Sequence, residues 1–394
     1  KIAYDLAVHH LGGNKRLSWL NEHGMRNWLC QFVLEHLSPI HCKYIEKIGL
    51  DYVANEIEET VYGNALTNLD DYLGHDRRGR KRPLRVEERQ AIWAAYEELQ
   101  IILKQKDTLT FGLIRCLALS ELNSNAAWPR FTGLFVDEAQ DMSKVSRLLC
   151  LGLVKDPKHL IFAADTAQSI YTVPPSWTRT SDLFNFKKRK PLTLAKSYRS
   201  TKEISTAIAA MRLDPGDEDD ISDMPAHTRS GPKPKWIDAP QIDHCNVVAE
   251  SISQLINSAA NPINAGQVAV IVRDNMRLSG YESAFAKRKI PAVSVTKKSP
   301  ISLDGSKVHI ITAHSAKGLS FPFVFVPDLN DQTYPSSKVL NKAADEQQRE
   351  QLLASEQRLL YVALSRCSAS LYIISDVDEP SRFLTKLLRK AHWE

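Results

Sequence analysis

Two adjacent carboxylates, Asp137 and Glu138, close an apolar run in the stretch Leu134-Phe135-Val136-Asp137-Glu138-Ala139-Gln140-Asp141. That pattern suits a buried strand delivering acids to a cleft. There Asp137 can hold Mg²⁺ through water, because hard cations take oxygen ligands and keep several waters. Glu138 beside it can orient or deprotonate a water that attacks a phosphoryl group. The competing reading is that both acids cap the helix starting near Ser143, where the helix dipole favours negative charge. Phosphoryl transfer also needs positive charge around the γ-phosphate, which arginine supplies with a planar fork of donors. Arg199 follows an apolar strand pattern and Arg366 ends a helical one. Each alone reads as an ordinary ion-pairing arginine; their occurrence with the two acids is what gives them weight.

One expected part is absent. A phosphate cradle needs G-x-x-x-x-G-K-[ST], with backbone N–H groups around the phosphates and the lysine on the β- and γ-phosphates. No Gly-Lys dipeptide occurs in the 394 residues. Gly12-Gly13-Asn14-Lys15 comes nearest, but it follows a helix-like segment and has Arg16 where Ser or Thr belongs. The chain opens on Lys1 in what reads as the middle of a helix, so the expectation is that a cradle lies on an excised upstream segment.

The elements that must position these groups change character along the chain. Residues 1–125 read as mostly helical, with Leu29, Phe32, Val33 and Leu37, then Ile92, Tyr96, Leu99 and Leu103, at helical spacing. From residue 131 short apolar strands alternate with helices. Strands are expected at 134–136, 160–164, 192–195, 268–272, 308–312, 323–326 and 371–374, and helices at 143–154, 201–212, 246–257, 277–289 and 344–366. Continuous apolar strands alternating with helices predict an α/β fold with parallel sheets covered on both faces. In such sheets functional groups gather beyond the C-terminal strand ends, which is where Asp137-Glu138, Ser197-Tyr198-Arg199 and His314 are expected.

Composition sets the bounds. With 43% hydrophobic residues the chain can fill two to three domain cores. The formal charge of +5 is uneven: basic runs at Arg77–Arg85 and Lys187–Lys190 face an acidic patch of Asp214, Asp217, Glu218, Asp219, Asp220 and Asp223. Such basic runs attract phosphate backbones, although a solvated loop or a nuclear import signal accounts for them equally well. The six cysteines form no C-x-x-C, and His41-Cys42 and His244-Cys245 lack zinc spacing, so reduced thiols in a cytoplasmic or, in a eukaryote, nuclear protein are expected. No apolar run approaches the length of a membrane span.

In order, the chain carries LFVDEAQD, IFAADTAQSIY, LTLAKSYRS, VHIITAHSAKGLSF and EQRLLYVALSR. These resemble motifs II to VI of the UvrD-like (UvrD/Rep/PcrA) superfamily 1 helicases, and they span residues 134–366. The resemblance implies two RecA-like parallel-sheet lobes plus an N-terminal helical region. Residues 1–125 would be an accessory insertion of the first lobe, 126–196 the rest of that lobe with motifs II and III, and 197–394 the second lobe with motifs IV to VI. It implies an ATP- and Mg²⁺-dependent translocase or helicase on single-stranded DNA, with 3′→5′ polarity and RNA as an open alternative. Asp137 and Glu138 match the magnesium-coordinating and water-activating acids. Gln168 matches a γ-phosphate-sensing glutamine, Tyr198 an aromatic on the ATP base, and Arg199 and Arg366 the two γ-phosphate arginines. Tyr171 and Trp177 match aromatics that stack on single-stranded bases, a role any base face permits, while Trp177 also reads as a core tryptophan. Thr312 and His314 match positions near the strand.

Departures accompany the matches. Ala164 stands where the family has Gly, Ser197 where Asn is common, and Ser320 where a sugar-contacting Glu is usual. The stretch from Arg199 to Val308 is too short for the large helical insertion many relatives carry in the second lobe. The second expectation is therefore a split or degenerate helicase that binds nucleic acid or scaffolds without hydrolysis, the cradle then lying on a partner subunit or nowhere.

Overall fold

Five consecutive apolar residues, Val268-Ala269-Val270-Ile271-Val272, cannot alternate between core and solvent, so a strand built from them must be covered on both faces. All five are buried. The structure is a computed structural model that describes residues 1–13, 17–75, 84–164, 179–181, 184–185, 192, 194, 196–211, 226–227, 229–259, 262–295, 305–341, 343, 346–387 and 393–394. The described residues form two compact units, one holding those up to Ala164 with a hairpin at 179–185, the other those from Leu192 onward.

In the first unit the strands β1 (Leu134–Val136) and β2 (Leu160–Phe162) pair in parallel. Helix α1 (Lys144–Leu153) follows β1, and Leu134, Val136, Leu160 and Phe162 cluster with its Cys150 and Leu151. The opposite face is bare: Phe135 is 77% and Ile161 51% exposed, and the two are register partners. The described residues among 1–125 are mostly helical, as expected, with two departures. Leu29–Val33 and Glu56–Tyr62 are π-helical, and Ser18–Leu20 pairs in parallel with Thr108–Thr110. Gly112 is required where it stands, because a Cβ there would lie 2.6 Å from the Tyr62 Cβ.

The second unit holds a six-stranded parallel sheet. Its strands are β3 (Lys235–Asp238), β4 (Val268–Val272), β5 (Ala292–Val295), β6 (Val308–Thr312), β7 (Phe321–Val326) and β8 (Cys367–Ser375), in the order β5-β6-β4-β7-β8-β3. Helices α3 (His244–Ile256) and α4 (Leu278–Lys287) cover one face, where Val248, Ile252, Tyr281 and Phe285 meet Val268, Val270 and Ile310. Helices α2 (Lys202–Ile208) and α5 (Glu346–Leu364) cover the other, where Ile204, Leu360 and Ala363 meet Ile271, Ile311 and Val324. Each fully buried Val or Ile stabilises the unit by about 1.5–3 kcal/mol relative to exposure.

The strands expected at 134–136, 268–272 and 308–312 match these bounds, and β7 and β8 run longer than expected. Of the strand expected over 192–195, Thr193 and Ala195 lie outside the described residues. Leu192 and Leu194 belong to no strand and are 98% and 89% exposed. β3 and β5 escaped the sequence because Lys235-Trp236-Ile237-Asp238 and Ala292-Val293-Ser294-Val295 are short edge strands.

At the end of β4, Arg273 makes a bidentate pair with Glu356 of α5, at 2.8 and 2.5 Å, and both are buried. Glu356 also accepts from the Ser336 backbone N–H at 2.9 Å. Glu356→Ala would strand the guanidinium, and the expected loss is about 3–5 kcal/mol of unfolding free energy, read by urea denaturation.

Candidate functional site

The acid turn is fixed by backbone hydrogen bonds on both sides. The Ala163 N–H donates to the Val136 carbonyl at 2.8 Å, and the Ala139 N–H donates to the Ala163 carbonyl at 2.9 Å. Between these anchors Glu138 adopts φ 53° and ψ 37°, a left-handed conformation unusual for a glutamate. The Asp137 carboxylate accepts from the Glu138 N–H at 2.8 Å through Oδ1; among the described residues its Oδ2 has no hydrogen-bond partner. Glu138 is half-buried and accepts from the side-chain amide of buried Gln140. The helix cap is Ser143, whose hydroxyl accepts from the Ser146 N–H at 3.4 Å, so neither acid is spent on capping α1. Arg147, buried on α1, donates to the Met142 carbonyl at 2.8 Å and pins the exit of the turn. Burial pulls its guanidinium down to about 10.

An exposed carboxylate with a spare oxygen suits a cation that keeps most of its water and takes further ligands from phosphates. No group of three or more His, Cys, Asp or Glu side chains among the described residues could hold a metal unaided. Asp137 thus has one carboxylate oxygen open to a ligand.

In the second unit the Ser200 hydroxyl donates to the Cys367 carbonyl at 2.8 Å. Arg199 precedes the first of these residues and Arg366 the second, so this bond brings both arginines, and Tyr198, to the N-terminal edge of β8. Tyr198 and Arg199 are exposed, whereas Arg366 is fully buried. Its guanidinium donates to Val362 O at 3.0 Å, to Leu319 O at 3.4 Å and to the Ser365 hydroxyl at 2.9 Å. Ser320, next to Leu319 and exposed, belongs to the same edge. Burial pushes the adjacent Cys367 thiol up to about 12, so it is inert. All six cysteines are free, and Cys30 is exposed.

Thr312 and His314 lie elsewhere. Thr312 ends β6, buried, and its hydroxyl meets Ser315 at 3.0 Å, while His314 is exposed in the following turn. As expected, Asp137 and Glu138 follow β1, Tyr198 and Arg199 follow the two-residue strand Lys196–Ser197, and His314 follows β6. Arg366 precedes its strand, and it and Ser200 sit at the sheet edge opposite Thr312 and His314. Gln168, Tyr171 and Trp177 lie outside the described residues, as do the basic runs at 77–82 and 187–190 and the acidic patch.

Sequence reasoning missed a polar cavity of about 320 Å³ lined by Asp274, Met276, Arg277, Gln332, Thr333, Ser336, Ser337 and Lys338. It opens where β4 and β7 lie side by side. The chain leaves β4 through α4 towards β5, and leaves β7 through α5 towards β8, so the connections diverge. Such a topological switch point is where open α/β sheets bind ligands. Arg277 donates to the Thr333 hydroxyl at 3.2 Å and lies 3.9 Å from Asp328, and Lys338 Nζ lies 2.8 Å from Met276 Sδ. The signal was strand order, which no local pattern reveals.

The model for the UvrD/REP helicase N-terminal domain matches residues 29–191, and that for the UvrD-like helicase C-terminal domain matches residues 293–377. The chain belongs to the UvrD-like helicase family. Asp137 and Glu138 lie in the first UvrD-like match and Thr312, His314 and Arg366 in the second, with Tyr198, Arg199 and Asp274 between them. A probable DNA helicase of Mycoplasma pneumoniae is 32% identical over 139 residues, 34% of this chain and 23% of that protein. The ATP-dependent DNA helicase PcrA of Staphylococcus epidermidis is 34% identical over 90 residues, 20% of this chain and 12% of PcrA. A probable DNA helicase II homolog of Rickettsia conorii is 33% identical over 93 residues, 21% and 14% of the two chains. The chain thus spans less than a quarter of the length of these curated UvrD-like relatives. No helix among the described residues is long and apolar enough to cross a membrane.

The left-handed backbone at Glu138 yields a stability test that is independent of activity. Removing the side chain as Glu138→Gly relieves the strain, and as Glu138→Ala retains it. The glycine variant is expected to be more stable than the alanine variant by about 1 kcal/mol in urea unfolding.

Proposed function

We propose that this chain is the larger part of an ATP-dependent, UvrD-like translocase or helicase acting 3′→5′ on single-stranded DNA, with the phosphate-binding loop on a segment outside these 394 residues. The observation that supports the reading is the Ser200–Cys367 hydrogen bond, which joins the residues that follow Arg199 and Arg366 in the chain. A base-stacking ring and two guanidinium groups are what a triphosphate needs from a second lobe, and the acid turn is what it needs from a first.

In this reading Asp137 holds Mg²⁺ through water, and Glu138 orients the attacking water and takes its proton. The bound ion would neutralise charge on the β- and γ-phosphate oxygens. Tyr198 stacks on the base, while Arg199 and Arg366 stabilise charge developing on the γ-phosphoryl oxygens. Gln168 links the γ-phosphate to the strand, which passes Tyr171, Trp177, Thr312, His314 and the cavity at the β4–β7 switch point. Arg277 and Lys338 there suit a phosphate backbone.

The bare face of the first unit supports placing the cradle on a further segment. Parallel sheets are covered on both faces, and exposed Phe135 beside exposed Ile161 is the surface a further strand and helix would cover.

The test compares ATP hydrolysis by the 394-residue chain with that of the protein extended to include a G-x-x-x-x-G-K-[ST] segment. The chain alone is expected to show no DNA-stimulated turnover and the extended protein to show it. Glu138→Gln in the extended protein should lower turnover by about 10²-fold or more. Robust hydrolysis by the chain alone, or by the Gln variant, contradicts the reading. An extended protein that binds DNA and never hydrolyses ATP supports the non-hydrolysing module instead.

A further inference from the structure

The two arginines of the second unit are held in different ways. The Arg366 guanidinium is tied to the carbonyls of Val362 and Leu319 and to the Ser365 hydroxyl, so it moves with the end of α5 and the start of β8. The Arg199 side chain is exposed and makes no hydrogen bond or ion pair among the described residues. Its position is therefore set by its backbone.

One side-chain bond joins these two backbones. The Arg366 carbonyl accepts from the Phe321 N–H of β7 at 3.0 Å. Successive carbonyls of a strand point to opposite sides, so the Cys367 carbonyl points away from β7. β3 lies on that side but pairs with β8 only from Tyr372 onward. The carbonyl is left without a strand, and a buried carbonyl needs a donor. Ser200, itself buried, supplies it: its hydroxyl donates at 2.8 Å across 167 positions of sequence.

Helix docking does not call for this hydroxyl. α2 is seated on the sheet by Ile204, Ala207 and Ile208, all buried. The Thr201 hydroxyl caps that helix by accepting from the Ile204 N–H at 3.4 Å, and the Lys202 N–H donates to the Arg229 carbonyl at 2.9 Å. What the Ser200 bond adds is a fixed spacing between residues 200 and 367, and each of these is the immediate neighbour of an arginine.

Stabilising charge on a transferring phosphoryl group requires donors that already stand where the charge develops. Two arginines on segments free to slide past each other meet that requirement only part of the time. We infer that Ser200 is a positioning residue for phosphoryl transfer, clamping the segment of Arg199 to the segment of Arg366 so that both guanidinium groups reach one γ-phosphate together. This rests on the proposed ATP-hydrolysing function and adds to it a residue that acts through its neighbours. Its effect falls on the chemical step, because ADP lacks the γ-phosphate that the two arginines serve.

The test uses the protein extended to include the phosphate-binding segment, saturated with single-stranded DNA. Steady-state hydrolysis gives kcat and KM for ATP, and a fluorescent ADP analogue gives nucleotide affinity. Ser200→Ala is expected to lower kcat by about 10²-fold, as for a misplacement of the catalytic groups by about 1 Å, with ADP and DNA affinity unchanged. Ser200→Thr keeps the hydroxyl and should recover most of the loss. In an Arg199→Ala background Ser200→Ala should cost less than it does alone, because one of the two groups it aligns is already gone.

A wild-type kcat in Ser200→Ala overturns the inference and leaves the proposed function standing. So does a loss in which kcat, ADP affinity and melting temperature fall together, which is what a merely structural serine gives, or a fully additive loss in the Arg199→Ala background. If the alanine variant fails to fold, Ser200→Cys, close in size with a weak donor, takes its place under the same outcomes. An extended wild-type protein that does not hydrolyse ATP removes the reading and the inference together.

Discussion

A parallel strand must hide both of its faces, and this constraint organises the molecule. The second unit satisfies it: β4 is buried along its whole length, with α3 and α4 on one side and α2 and α5 on the other. Covering both faces requires helical crossovers, and crossovers running in opposite directions from adjacent strands leave a gap at their C-terminal ends. The cavity between β4 and β7 is therefore a consequence of how the sheet is wound. The first unit meets the constraint by half. α1 covers one face of β1 and β2, and Phe135 and Ile161 leave the other apolar and exposed.

Buried charge is used to fix the loops at strand ends. His244 bridges the Asp328 carboxylate and the Ala239 carbonyl, with one ring nitrogen 3.0 Å from each. Tyr281 donates to the other Asp328 oxygen at 3.0 Å, tying α3 and α4 to the loop after β7. Arg273 and Glu356 tie the loop after β4 to α5 and, through the Ser336 N–H, to the cavity wall. Removing charges from water costs several kcal/mol per ion, so such pairs are weak evidence for stability as such. Their effect here is positional: the side chains that line the cavity stand on a backbone whose alternatives would strand a charge.

How much of this the sequence disclosed follows from the range of each signal. Val268–Val272 was readable because five apolar residues in a row carry their own explanation, and Val308–Thr312 was readable from Val308, Ile310 and Ile311. The Asp137–Glu138 pair was readable because strand, turn and acids are contiguous. The stretch at 192–195 had the same local grammar, yet Leu192 and Leu194 belong to no strand. How Arg366, read at the end of a helix, stands to Arg199 was not readable, because the Ser200–Cys367 bond between their neighbours spans 167 residues of chain. The cavity was invisible for the same reason, being built from residues 274–277 and 332–338, which strand order alone makes neighbours.

Backbone strain marks where local preference was overruled. Glu138 and Asp328 both have positive φ, at 53° and 61°, a conformation L-residues avoid and glycine adopts freely. Such strain persists only where the surroundings over-determine it. At Asp328 the surroundings are visible: three side chains converge on the carboxylate, and glycine would forfeit them all. At Glu138 the Gln140 amide engages the side chain, between the backbone bonds that join Ala139 to Ala163 and Ala163 to Val136. Glycine at either position would relieve the backbone and give up a side-chain hydrogen bond, so both turns are held by side-chain contacts as well as by the main chain.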